Sequence, residues 1–220
     1  LAPAPVPGDW RLSQIYGAYA YSAFVAGDLD TLRQAAEQGR NLAEAVGDWS
    51  ASRLCRFCLG LADLLSGELA KAATAGQEMA AEAAATHEPF FAAKGLMLLA
   101  EALARQGDTS GARRAAQASA DTTVNQAAFH RGISLGALVD AALAAGDVPA
   151  GQLASDIACE ACALPHLLAI NGNPVARAAL ASGDTVAARR RSDEALSLSS
   201  GVNRLLPLET RIRIAIVEGD

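Results

Sequence analysis

The residues best suited to chemistry are four cysteines in two Cys-x-x-Cys pairs, Cys55 with Cys58 and Cys159 with Cys162. Together they could supply the four thiolates of a tetrahedral zinc site, and either alone is the spacing of a redox couple. Both pairs sit inside helical stretches, however, whereas structural zinc sites favour turns. No strand precedes either pair, as a redox motif would require. The alternative is four small thiols that fill space in a core. His87, His130 and His166 are isolated, with no consistent ligand spacing around them, and no Ser/His/Asp order or carboxylate pair stands out. Arg113-Arg114 and Arg189-Arg190-Arg191 could grip phosphate or form the solvated outer face of a helix. A Gly-x-x-x-x-Gly-Lys-Ser/Thr phosphate loop is absent, and lysine occurs only at Lys71 and Lys94. The residues therefore point to binding rather than catalysis, with no metal and no cofactor expected in this segment.

The elements that carry these residues follow from composition. Hydrophobic residues make up 51% of 220 but aromatic ones only 5%, so Ala, Leu, Val and Ile must fill the core. An alanine-rich core implies helices packed closely through small side chains. A net charge of -6 and a pI near 5.1 argue against a surface that grips nucleic acid directly. No uninterrupted apolar run reaches membrane-spanning length, and no secretory leader is recognisable.

Glycine followed by an acid recurs at Gly27-Asp28, Gly67-Glu68, Gly107-Asp108, Gly146-Asp147, Gly183-Asp184 and Gly219-Asp220, at spacings of 40, 40, 39, 37 and 36. Gly8-Asp9 and Gly47-Asp48 fall about half a period away. Chance gives about two such pairs, against the eight present. A fixed period of this size marks a helical solenoid. Glycine can take the left-handed conformation that ends a helix, and the acid can cap the next one. Pro149 suits the first turn after such a hinge.

Matched positions repeat as well. Eight before the hinge stand Tyr19, Leu59, Leu99, Leu138 and Val175, expected in the core. Seven before stand Ala20, Gly60, Ala100, Val139 and Ala176. Five after stand Leu32, Ala72, Ala112, Gly151 and Ala188. Twelve after stand Gly39, Met79, Ser119, Ala158 and Ala195. Small residues at matched positions let paired backbones approach. The pattern predicts first-member helices near 10–26, 49–66, 89–106, 125–145, 164–182 and 202–218, and second members near 29–46, 68–86, 109–122, 148–163 and 185–198. Asn171-Gly172-Asn173-Pro174 is expected to break a first-member helix, because a proline disfavours helix at the residue before it. Residues 1–8, rich in proline, read as a linker or boundary. Residues 9–220 read as one all-α domain of about five and a half repeats, expected to be a fragment of a longer protein.

The small-residue and Gly-Asp pattern resembles tetratricopeptide repeats, with a longer period of about 36–40 and without the usual closing proline. The resemblance implies a right-handed α-solenoid of antiparallel helix pairs. The stretches Asn41-Leu-Ala-Glu-Ala-Val-Gly-Asp-Trp49, Ala187-Ala-Arg-Arg-Arg-Ser-Asp-Glu-Ala195 and Thr210-Arg-Ile-Arg-Ile-Ala-Ile-Val-Glu-Gly219 look like those of large bacterial ATP-dependent transcriptional regulators of the LuxR type. That likeness implies a cytoplasmic, non-enzymatic segment that binds a protein partner or small effector, or the parent protein's own ATPase and DNA-binding modules, with no direct nucleic-acid or membrane contact. The alternative is a free-standing tetratricopeptide adaptor that binds a peptide in its concave groove.

In tetratricopeptide arrays the first helix of each pair lines the concave face. Six residues before the hinges stand Tyr21, Leu61, Glu101, Asp140, Arg177 and Arg213, and thirteen or ten before stand Gln14, Phe57, Lys94 and Asn173. These ten residues are the expected groove, running from apolar and aromatic through acidic to basic. Its charged members could equally form a ladder of ion pairs that binds nothing.

Overall fold

The computed structural model describes residues 10–161 and 165–219, with side chains placed except at 128–129, 157, 159–161 and 165–171. The described residues form eleven α-helices. The first members of the pairs are α1 (Trp10–Ala26), α3 (Trp49–Leu65), α5 (Pro89–Gln106), α7 (Ala128–Ala144), α9 (Pro165–Ala181) and α11 (Leu205–Glu218). The second members are α2 (Leu29–Val46), α4 (Leu69–Ala85), α6 (Thr109–Thr122), α8 (Val148–Ala161) and α10 (Thr185–Leu198). A short 3₁₀ turn, Gly201–Arg204, precedes α11.

One hydrogen-bond pattern makes the hinges. At Gly107-Asp108 the Gly107 N–H donates to the Ala104 carbonyl and the Asp108 N–H to the Leu103 carbonyl. These bonds satisfy carbonyls that the helix end leaves open. The pattern recurs at residues 27/28, 47/48, 67/68, 146/147 and 183/184. It also recurs at His87-Glu88, where no glycine exists and His87 itself takes φ 57°. The acid then starts the next helix. Asp28, Asp48, Asp108, Asp147 and Asp184 each accept the backbone N–H three residues on. Glu68 and Glu88, one methylene longer, make no such bond.

Repeat positions become core as the sequence predicts, with one exception. The residues named above at seven before, five after and twelve after the hinges are all buried, whereas Ile212, seven before the last hinge, is exposed. The positions eight before are mostly half-buried instead, and Tyr19, on the outermost helix of the described array, is exposed. Small residues set the closest approaches. A Cβ on Gly95 would sit 2.6 Å from the Ala80 nitrogen of α4, and one on Gly76 would sit 2.7 Å from the Gly95 carbonyl.

Each first-member helix from α1 to α9 packs on its own second member and on the next first member, so α1, α3, α5, α7, α9 and α11 form a continuous inner row. Two helix starts differ from the sequence reading by more than two residues. Residues 123–127 and 199–204 form connections, so α7 and α11 each begin three residues late. The expected break at Asn171–Pro174 is overturned, because α9 runs unbroken with Pro174 inside it. The proline removes one helix hydrogen bond, but Gly172, Asn173, Pro174, Val175 and Ala176 are all buried, and the Thr210 hydroxyl of α11 donates to Asn173 Oδ1 at 2.7 Å. Packing and that bond outweigh the local preference.

The hinge geometry yields a paired test. Gly107 has φ 87° and nothing within 4 Å of a built Cβ, so Gly107→Ala carries the left-handed penalty alone and should lower stability by about 1 kcal/mol. His87→Gly relieves the same penalty and should raise it by up to about 1 kcal/mol, less the added freedom of the unfolded chain. Thermal melts of both variants check the pair, and equal shifts of the same sign would contradict the hinge assignment.

Candidate functional site

The inner row does not remain an open groove. The connection after α10 reaches back to the far end of the array, some 175 residues earlier in sequence, and clasps the C-terminal end of α1. The Ser200 hydroxyl donates to the Ala26 carbonyl at 2.9 Å, and the Val202 N–H donates to the Gly27 carbonyl at 3.3 Å. The Asn203 amide donates to the carbonyls of Phe24 and Val25. Gly27 and Gly201 lie back to back at this contact. A Cβ on Gly27 would land on the Ser200 carbonyl oxygen, and one on Gly201 would lie 2.5 Å from the Gly27 oxygen.

The clasp narrows the groove to a partly open cavity of about 240 Å³. Its apolar wall includes Phe24, Phe57, Leu61, Leu64 and Met97 from α1, α3 and α5, with Leu205, Leu206 and Pro207 supplied by the clasp side. Seven of the ten expected groove residues line it: Tyr21, Phe57, Leu61, Lys94, Glu101, Asp140 and Asn173. The other three lie elsewhere. Gln14 donates to the Asp48 carboxylate at 2.7 Å and so supports the cap of α3. Arg177 stands behind the wall and pairs with Asp140 at 2.6 Å. Arg213 is exposed and pairs with Glu209 on its own helix, so it belongs to no ladder across repeats.

The charges around the cavity are unevenly matched. Asp140 has Arg177. Glu101 has Arg105 at 4.0 Å, and Arg105 also donates to the Leu64 carbonyl at 3.2 Å. Burial raises the affinity of the Glu101 carboxyl for its proton, and the neighbouring Asp140 raises it further, against the pull of Arg105 and Arg177. Burial likewise raises Asp140, against the same two arginines. Lys94 is 9% exposed and has neither a carboxylate partner nor a hydrogen bond among the described residues. Its ammonium instead lies 4.4 Å from the centre of the Phe57 ring, 4.9 Å from Phe90 and 5.6 Å from Tyr21. Desolvation pulls its pKa down to about 8.

The remaining candidates sort out locally. Cys55 and Cys58 are buried free thiols, and desolvation pushes them up to about 11 and about 12, so they stay protonated and unreactive at neutral pH. Cys159, Cys162 and His166 lie outside the residues whose side chains are described. Among the described residues no three His, Cys, Asp or Glu side chains gather as a metal site would. The arginine runs lie on the outer helices: Arg113 pairs with Asp147 at 2.7 Å, Arg189 pairs with Glu218, and Arg191 pairs with Glu194 at 3.1 Å. His130, unremarkable in the sequence, packs on Phe90 at 4.4 Å beside Lys94. The clasp residues Ser200 and Asn203 were also invisible to a periodic reading, because they lie in a connection and act on a helix far away in sequence.

No protein-family model matches the chain. It is 35% identical over 216 residues to proteins named as HTH-type transcriptional regulators in Mycobacterium tuberculosis and Mycobacterium bovis. The match covers 98% of this chain and 24% of each relative, so the chain spans about a quarter of their length. Among solved structures, the crystal structure of a thermophilic TPR protein from Thermus thermophilus superposes with a TM-score of 0.65 at 16% identity, over 94% of this chain and 100% of that one. The fold is therefore that of a tetratricopeptide-like helical array, and the chain is homologous to a segment of those larger proteins.

Two outcomes follow from the site geometry. Gly27 and Gly47 share almost the same φ, 72° and 73°, but only Gly27 touches the clasp. Gly47→Ala should lower stability by about 1 kcal/mol, and Gly27→Ala by at least about 1 kcal/mol more, because the new methyl must displace backbone. Chemical denaturation of both variants measures the difference, and equal losses would show that the clasp contributes nothing.

For Glu101, the folded carboxyl holds its proton to higher pH than the unfolded one. The folded state is therefore favoured at low pH and loses that advantage as pH rises toward the folded pKa. Glu101→Gln removes the penalty and should raise the melting temperature by roughly 2–4 °C at about pH 8, with the gap closing at about pH 5. A gap that is the same at both pH values would contradict the assignment.

Proposed function

We propose that this chain is the sensing segment of a larger helix-turn-helix transcriptional regulator of the LuxR type, and that it acts by binding rather than by catalysis. A small effector enters the cavity of the inner row, and its occupancy biases the ATPase and DNA-binding modules elsewhere in the parent protein. One observation carries this reading: the groove positions converge on a cavity that the chain itself closes with the 199–207 segment. A volume of about 240 Å³ suits a small molecule and is too small for an extended peptide of several residues. That favours a small effector over the peptide-binding adaptor. The homology to HTH-type regulators over nearly the whole chain supports the regulatory setting.

The same reading places the protein in the cytoplasm, where its DNA target would be. No helix among the described residues is long and apolar enough to cross a membrane.

Filling the cavity tests the proposal. Leu61 lines it on α3, and Leu61→Trp should occupy the space a ligand needs. In the full-length parent protein this variant should lose effector-dependent transcription from its target promoter while keeping its folded helix content. A transcriptional response identical to that of the unsubstituted protein would overturn the sensing role, as would a parent protein without a DNA-binding module.

A further inference from the structure

Five charged side chains belong to the cavity or directly back it: Lys94, Arg105 and Arg177 against Glu101 and Asp140. Both carboxylates have arginines beside them, so the surplus is positive, and among the described residues the group without an anionic partner is Lys94. The titratable neighbours of Lys94 offer it no counter-charge. Tyr21 on α1 and Cys58 on α3 are both raised by burial and stay neutral at pH 7. His130 on α7 is lowered by burial and by Lys94 itself, and is neutral there too. On its own helix, the nearest acid along the cavity, Glu101, is held by Arg105 and kept partly protonated by burial.

The three rings around Lys94 stabilise a cation through their faces, but they accept none of its N–H bonds in the way an oxygen would. A buried ammonium with no acceptor is costly. It lines a cavity whose remaining wall is mostly hydrocarbon. The missing partner is an anion that carries an apolar body. The volume lies a little below the roughly 300–1,000 Å³ of cavities that take drug-sized molecules, which limits the ligand to on the order of ten non-hydrogen atoms.

We propose that the cavity binds a small apolar monocarboxylate, with its carboxylate on the Lys94 ammonium and its hydrocarbon body against the wall formed by Phe24, Leu61, Leu64 and Leu206. The assignment rests on the sensing role proposed above and specifies the chemical class of the effector. A cationic ligand is disfavoured, because both cavity carboxylates already have arginines at hand and an added cation would increase the positive surplus. A neutral ligand would leave the Lys94 ammonium without an acceptor.

Three probes of nearly equal size separate the possibilities: octanoate, 1-octanol and octylammonium, each titrated calorimetrically into this chain at neutral pH. Octanoate should bind at least tenfold more tightly than either of the others. Lys94→Met keeps the length and apolar packing of the side chain, and should abolish the preference for octanoate while leaving octanol binding within a few-fold. Octanoate affinity in the unsubstituted chain should also fall as pH rises above about 8, because free Lys94 then loses the proton the carboxylate needs. That pH profile, with the probe ranking, decides the matter even if the Met variant fails to fold. Octylammonium or octanol binding as tightly as octanoate would overturn the monocarboxylate assignment and leave the cavity as a ligand site of another class. Binding of none of the three would count against the small-effector reading itself.

Discussion

A helix that must stop within two residues and restart in the opposite direction needs one residue in the left-handed region and one acceptor for the next helix's free N–H groups. That constraint governs this protein. At seven described hinges the backbone closes one helix with the same pair of hydrogen bonds, and at five of them an aspartate opens the next. Because the connection is so short, successive helices must lie antiparallel and in contact. Because it recurs at a nearly fixed interval, successive first-member helices stack side by side, and the inner row follows. The small residues at matched positions then decide how closely the helices approach, as Gly76 and Gly95 show where α4 meets α5. His87 marks how strong the constraint is: the left-handed turn is made there even without a glycine.

The inner row alone would present an open concave surface, as stacked repeats commonly do. What encloses it is the departure from the hinge rule after α10, where six residues replace two. The longer connection carries Ser200 and Asn203 to the end of α1, and the two facing glycines allow backbone to meet backbone. Burial in the inner row sets the electrostatics, since desolvation raises Glu101 and lowers Lys94. The Asp140–Arg177 pair spans neighbouring repeats at 2.6 Å. Part of the charge run is thus paired across repeats, and Lys94 has no carboxylate partner among the described residues.

The repeat was legible because it is a local property written several times. Glycine-acid spacing located the hinges, and the helix limits that followed from it agree with the structure within a few residues. Seven of the ten groove positions reach the cavity because a fixed offset from a hinge is a fixed angle around a helix. Gln14 and Arg213 fall outside near the ends of the array, where Gln14 bonds the Asp48 cap of the neighbouring α3 and Arg213 pairs with Glu209 on its own helix. Asn173-Pro174 misled because proline chemistry is local, whereas the burial of that turn and the Thr210 bond come from other helices. The clasp was illegible for the same reason: nothing periodic links Asn203 to Phe24.

A tetratricopeptide-like array homologous to part of HTH-type regulators thus contains, in this chain, a clasped and partly open cavity. Both the sensing role and the choice of effector depend on that enclosure. The most direct measurement is amide hydrogen exchange at Val202, whose N–H has the Gly27 carbonyl, across the closure, as its backbone partner. The closed array predicts that this connection amide is protected by at least about a hundredfold relative to an unstructured peptide, alongside the helical amides of α1. Exchange at the unstructured rate while α1 remains protected would show an open array and would contradict the account.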